Sequence, residues 1–373
     1  MLWFGPAAAP AGGNPGTPTA SYGKARQQEN LHCPEYPMRL LAPLVLAAAT
    51  LIAPLSASAA ETLTRRAVCV FDIVGVHGDL FNAMKDFRIQ ALQWGVDLDL
   101  RPYTNEKIAA EDFKAGQCDA AVMTGLRARG FNGYAGTIDS VGSIPDTEHM
   151  RLLLQALANP KMADKLKTGT YEVAGIAPLG SAYIFTRDKT VNSLTKASGK
   201  RVAVLDYDPS QARMVAQVGA SPVPSDITNF AGKFNNGSVD IIAAPLAAYR
   251  PLELFKGLEP NGGIIDYPFV QLTMQFLVRQ GKFTDTFTQS SREYFYANFD
   301  RILSALDKAG AEVPRKYFVQ IPAEDKVKYE ALMRDSRLQL RGEGYYDGEM
   351  LTLLRKVRCK VNASRGECTD KLE

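Results

Sequence analysis

Histidine is scarce in this chain: three in 373 residues, of which only His77 and His149 follow residue 60. There is no H-E-x-x-H pair, no G-x-S-x-G elbow and no G-x-x-x-x-G-K-[ST] loop, and no S-x-x-K is expected to open a helix. Zinc proteolysis, hydrolase-type acylation and P-loop nucleotide binding therefore lack their residues. Cysteine is sparse, and the four beyond residue 60 (Cys69, Cys118, Cys359 and Cys368) form no C-x-x-C pair. A zinc site is disfavoured. No cofactor, no metal and no enzymatic activity are expected. Charge of one sign is lacking as well. Lys plus Arg number 43 against 40 Asp plus Glu, and the basic residues are dispersed, which argues against a nucleic-acid partner.

One long apolar run exists, and it lies near the start. Residues 1–37 are rich in Pro, Gly and Ala without an apolar period, a composition that cannot bury a core. They read as a disordered extension or a mis-chosen start, with translation beginning at Met38. Met38-Arg39, the run Leu40–Leu55 and Ala57-Ser58-Ala59 follow in the order of a cleaved signal peptide over residues 38–59. The run, about 16 residues long, falls short of the ~20 that a membrane span needs. Export to the periplasm is expected, and there an even cysteine count suits two disulfides. Three pairings are possible. The polar loop between Cys359 and Cys368 favours a local bridge, which leaves Cys69 with Cys118.

Beyond residue 60 the periodicity predicts strand, helix, strand, helix, strand. "RRAVCVFDIVG" is a buried strand ending near Asp72. Asp79 is expected to cap a helix over Leu80–Trp94, stopped by Gly95. "VDLDLR" is a strand, "NEKIAAEDFKAG" a helix and "CDAAVM" a strand. After a Gly-rich stretch and helices near 146–158 and 160–168, the series restarts. "GKRVAVLDYDP" is a strand, "SQARMVAQVGA" a helix, "SPVPS" a short extended piece, "DITNFAGKFNNG" a helix and "VDIIAAP" a strand. Such alternation is α/β winding around a largely parallel sheet. Each series closes on one block: "FKAGQCDAAVM" at 113–123 and "FNNGSVDIIAA" at 234–244, both F-x-x-G-x-[CV]-D followed by four apolar residues. Two copies at equivalent places predict two similar lobes, 60–182 and 183–266. "YPFVQLTMQFLVRQG" is long for one strand and suits a crossing between lobes. The rest of 267–373 is mostly helical. One broad helix carries Phe287, Tyr294, Phe295, Phe299, Ile302, Leu303 and Leu306 and ends at Gly310.

Ligands of open α/β sheets bind beyond the carboxyl ends of the strands. Those ends supply the candidate contacts: Phe71, Asp72 and His77; Thr124 and Arg127; Asp206 and Tyr207, with Arg213 nearby; Pro245 and Tyr249. They mix acids, bases and aromatics, as in a pocket that fixes a small polar molecule with a few placed groups. Each also has a plainer role: Asp72 and Asp206 as helix caps or turn residues, Arg127 as a solvated side chain, Tyr249 as core.

"GKRVAVLDYDPSQARMVAQVGASPVPSDITNFAGKFNNGSVDIIAAP" resembles the solute-binding proteins of TRAP (DctP-like) transporters, in its G-K strand, "GASPVP" and "NGSVD". The likeness is clear over 199–257 and weaker over 66–131. The whole chain looks closer to a less characterised branch whose members are sometimes labelled RND-type efflux-pump components. The resemblance implies a two-lobed periplasmic-binding-protein fold (type II-like) with a helical C-terminal part. It also implies a small-molecule ligand, usually an organic acid, and membrane transporter subunits as partners of a monomer. One departure matters: where the family's strand carries a carboxylate-clamping arginine, this sequence has Ala203. Arg201, two residues earlier, shares the strand face but sits about 6–7 Å away; Arg127 or Arg213 would have to substitute, or the ligand is not an acid. The alternatives are a periplasmic efflux accessory, for which the heptad hairpins of an adaptor are lacking, and an exported enzyme on this fold.

Overall fold

The computed structural model describes residues 63–373. The extension and signal-peptide readings lie outside the described residues.

Eleven strands form one mixed sheet: β1 Thr64–Phe71, β2 Val96–Tyr103, β3 Ala120–Thr124, β4 Lys167–Thr168, β5 Tyr171–Thr186, β6 Arg201–Leu205, β7 Ser221–Ser225, β8 Ile241–Pro245, β9 Gly263–Ile265, β10 Val270–Arg279 and β11 Phe318–Val319. The main path runs β2-β1-β3-β10-β5-β8-β6-β7. β1 to β3 pair in parallel in one half, and β6 to β8 pair in parallel in the other. Two antiparallel strands lie between them. β5 pairs with β10 as far as Ala182 and then with β8 from Ala182 to Thr186, so one strand serves both halves. Its register against β10 skips at Leu179, between Pro178 and Gly180. A proline cannot donate to the ladder and Gly180 sits at φ +100°, so the strand bends there rather than ends.

The repeated block is a repeat of bonding as well as of letters. Asp119 donates its N–H to Ala67 O (2.8 Å) and accepts the Ala67 N–H on its carboxylate (3.0 Å). Asp240 does the same with Arg201, at 2.8 and 2.9 Å. The carbonyls of both aspartates accept from an arginine N–H, of Arg279 in one half and Arg187 in the other. The guanidinium of Arg279 then caps the carbonyl of Lys114 at 2.8 Å, and that of Arg187 caps Phe234 at 2.7 Å. Those carbonyls end the helices Glu106–Ala115 and Phe230–Asn235. Gly116 and Gly237, at φ +83° and +81°, make the left-handed turn out of each helix.

The larger core centres on Phe87, whose ring meets Phe276, Tyr294 and Phe295 at 5.0–5.4 Å. A second core holds Phe185, Phe234, Ile242 and Leu258. Cys69 bonds to Cys118 beside β1 and β3, and Cys359 to Cys368 at the C-terminus.

Three local readings need correction. The helix Asp79–Leu92 is preceded by Gly78, and Asp79 makes no cap bond. Asp72 does that work instead, accepting from the N–H groups of Val74 (2.9 Å) and Phe81 (3.0 Å). The long C-terminal helix is two, Asp285–Ala297 and Phe299–Gly310, parted at Asn298, whose side chain donates back to Tyr294 O at 2.9 Å. Finally, Ser193-Leu-Thr-Lys196 does open a helix, the four-residue Leu194–Ala197 capped by Ser193. Lys196 reaches Asn192 rather than the serine, so the motif makes no nucleophile pair.

Candidate ligand-binding cleft

The carboxyl ends of β1, β3, β6 and β8 face a cleft of about 840 Å³. Phe71 and Asp72, Thr124, Tyr207 and Asp208, and Pro245 come to it from those four strands. The middles of β5 and β10 form its floor through Pro178, Leu272 and Met274. The helix Phe299–Gly310 closes one side with Ile302 and Leu306. Most of the wall is apolar.

The polar part is tightly bonded. Asp72 is buried, and its carboxylate approaches the backbone so closely that a Cβ on residue 78 would lie 2.0 Å from its oxygens, which requires glycine there. Thr124 accepts from Arg127 N–H at 3.3 Å and donates its own N–H to Glu106 at 2.7 Å. Glu106 is fully buried and belongs to the first half; it also accepts from the hydroxyl of Tyr207 in the second, at 3.2 Å. Burial pushes the Glu106 carboxyl above its usual range, against the opposing pull of the Thr124 bonds and Arg127. The Arg127 guanidinium lies over the Tyr207 ring and 3.6 Å from Glu106.

A second bridge runs nearby. Arg129 donates to Gly136 O at 3.0–3.1 Å and to the Tyr345 hydroxyl at 2.6 Å, and Tyr345 donates to Asp208 at 2.8 Å. Arg129 itself stands 3.6 Å from Asp208. Asp139, also in the wall, accepts from Thr273 N–H (3.0 Å) and Thr273 Oγ1 (2.6 Å). Burial lifts its carboxyl to about 7 despite those bonds and Arg129.

Of the ten expected contacts, Phe71, Asp72, Thr124, Tyr207 and Pro245 stand in the wall and the other five do not. His77 is exposed in the turn Gly75–His77. Arg127 lies behind Tyr207, held by Glu106. Asp206 is exposed, and its N–H bonds Ser225 O as an extension of the β6–β7 ladder. Arg213 pairs with Glu343 on the surface. Tyr249 is buried in the second core beside Phe255, its plainer role. Arg201 points to the far end of β6, bonded to Asp240 at 2.7 Å. Ala203 does line the cleft, and no guanidinium takes its place. Asp139 and Asp208 escaped the sequence reading. Asp208 differs from Asp206 only by the turn after β6, and Asp139 sits in a Gly-rich segment with no period to orient it.

Among the described residues no helix is long and apolar enough to cross a membrane, and no three His, Cys, Asp or Glu residues gather as a metal site. In fold the chain is similar to TRAP periplasmic solute-binding proteins. One from Desulfovibrio salexigens, with bound orotic acid, superposes with a TM-score of 0.64 at 13% identity, covering 80% of this chain and 99% of that one. Another from Ralstonia eutropha H16, with bound (S)-2-acetolactate, gives 0.65 at 11%, covering 79% and 99%. In sequence the chain is 40% identical over 299 residues to the probable solute-binding protein AdeT1 of Acinetobacter baumannii, across 80% of this chain and 98% of that protein. The family described as solute-binding protein AdeT 1/2 matches residues 88–373. With the fold, the cleft and both sequence comparisons in agreement, the chain belongs to the AdeT 1/2 family of solute-binding proteins.

Proposed function

We propose that the protein works in the periplasm, captures a small molecule in the cleft between its two halves and delivers it to membrane transporter subunits. The observation that carries this reading is the cleft itself. It has the volume of a small-molecule site, lies where open α/β sheets bind ligands, and is walled by both halves. β5 and β10 are the strands about which the halves would move on closure. The relatives support the same reading, since solute-binding proteins are what they are named.

A thermal-shift screen of purified protein against metabolites tests it. Several degrees of stabilisation by a compound that is recovered unchanged is the expected result. Turnover of that compound would overturn the reading in favour of an enzyme.

A further inference from the structure

We propose that the cleft prefers a molecule with an apolar or aromatic body and a basic amine, held with the amine toward Asp208 and Asp139. This rests on the solute-binding reading and adds the ligand's chemical class.

The charge of the wall carries the inference. Its buried ionisable carboxyls are Asp72, Asp139 and Asp208. Its cationic side chains, Arg301 and Lys308, are both exposed at the rim, and Arg301 is occupied by Asp86 at 3.1 Å. The two arginines that approach from behind do not line the cleft, although Arg127 Nε is buried without a hydrogen-bond partner among the described residues. Arg127 is stacked on Tyr207 beside Glu106. Arg129 is spent on Gly136 O, Tyr345 and Asp208. A carboxylate entering this space would lose its water and meet carboxyl groups, with no buried guanidinium among the described residues of the lining to receive it. An ammonium would gain from the same arrangement. Among the described residues Asp208 Oδ2 accepts only from the amide of Gln211, at 3.2 Å, which leaves lone-pair capacity on that oxygen. Arg129 offsets part of the charge of Asp208. Asp139 titrates near neutrality, so a nearby ammonium would also draw it into its ionised form.

The rest of the wall suits an apolar body. Met214, Phe230, Leu272, Met274, Ile302 and Leu306 face the cleft from four different elements. Burying them against a hydrocarbon or aromatic surface is favourable without any further polar contact. Two of the six are methionines, whose flexible thioethers adapt to varied shapes.

Three probes with one body isolate the charge: 3,3-diphenylpropylamine, 3,3-diphenylpropanol and 3,3-diphenylpropionate, measured by calorimetry on the purified protein. The amine is expected to bind at least about tenfold more tightly than the alcohol, and the propionate most weakly. D208N is expected to remove the amine's advantage, bringing its affinity to that of the alcohol in the same variant. The wild-type ranking decides the matter even if that variant folds poorly. Equal binding of all three, or preference for the propionate, overturns the amine and leaves the solute-binding reading standing. Silence of all three while some other metabolite binds does the same. Silence of these probes and of the whole metabolite screen sinks both readings.

Discussion

The guanidinium carbon of Arg127 lies 3.4 Å from the centroid of the Tyr207 ring. Arg127 follows β3 in one half of the molecule, and Tyr207 follows β6 in the other. Glu106 receives the Tyr207 hydroxyl and stands beside the guanidinium, so the three side chains clasp the halves where the cleft closes. A stacked cation contributes about 0.5–2 kcal/mol, and the hydroxyl bond roughly 1 kcal/mol more. Tyr207→Ala is therefore expected to weaken ligand binding about tenfold or more and to expand the ligand-free protein in small-angle scattering. Tyr207→Phe keeps the stack and should cost less. Unchanged affinity and unchanged radius of gyration in Tyr207→Ala would remove the clasp from the mechanism.

Asp119 and Asp240 predict a matched pair of effects. Each carboxylate accepts an N–H of the neighbouring parallel strand, and each carbonyl accepts from the arginine that caps the preceding helix. Replacing either by alanine leaves a strand N–H without its acceptor, at a cost of about 1–3 kcal/mol. Asp240→Ala also frees Arg201, but that pair is partly exposed and adds little. Both variants should lower the midpoint of chemical denaturation. A midpoint that moves for one and not the other would show that the repeat is one of sequence only.

That repeat also marks how far the sequence could be read. F-x-x-G-x-[CV]-D was visible twice because its parts are local: a helix end, a glycine turn and a strand start, each with its own residue preference. The alternation around it located β1 to β3 and β6 to β8 for the same reason. β5 was not visible. Pro178 and Gly180 interrupt it, and local rules treat both as breaks, whereas pairing to β10 and β8 carries the strand through them. The site shows the same division. Strand ends identify which loops meet at the cleft, but not which side chain turns inward. Tyr207 and Asp208 face it while Asp206 between β6 and Tyr207 faces water. Ile302, Leu306 and Asp139 reach it only through tertiary packing from distant segments.

The two disulfides should differ in weight. Cys69 and Cys118 are 49 residues apart, and Cys359 and Cys368 only 9. Chain-entropy arguments assign roughly 4 kcal/mol to the longer loop and roughly 2.5 kcal/mol to the shorter. Replacing Cys69 and Cys118 by alanine is expected to lower stability more than replacing the C-terminal pair, as read in guanidinium denaturation of the two double variants. The reverse order would mean that the C-terminal bridge holds more than its own loop. It would point to the buried Glu373, which pairs with Arg337 and Arg358 beside that bridge.

Asp139 sets a pH dependence whose sign can be stated in advance. Its carboxyl is raised from 3.8 to about 7, chiefly by burial. In the unfolded chain the group ionises near pH 4, and in the folded protein near pH 7. Between those values the folded state holds more protons than the unfolded state, so this group's contribution is fully present below about pH 4 and is lost as pH rises through 7. The span is on the order of a few kcal/mol. Asp139→Asn keeps the shape and can still bond Thr273, but it does not titrate. The variant should therefore lack this downward limb, and its stability relative to wild type should rise between pH 5 and pH 8. Denaturation midpoints of both proteins across that range give the comparison. Parallel curves would show that Asp139 is ionised throughout, held by Arg129 more strongly than burial opposes it.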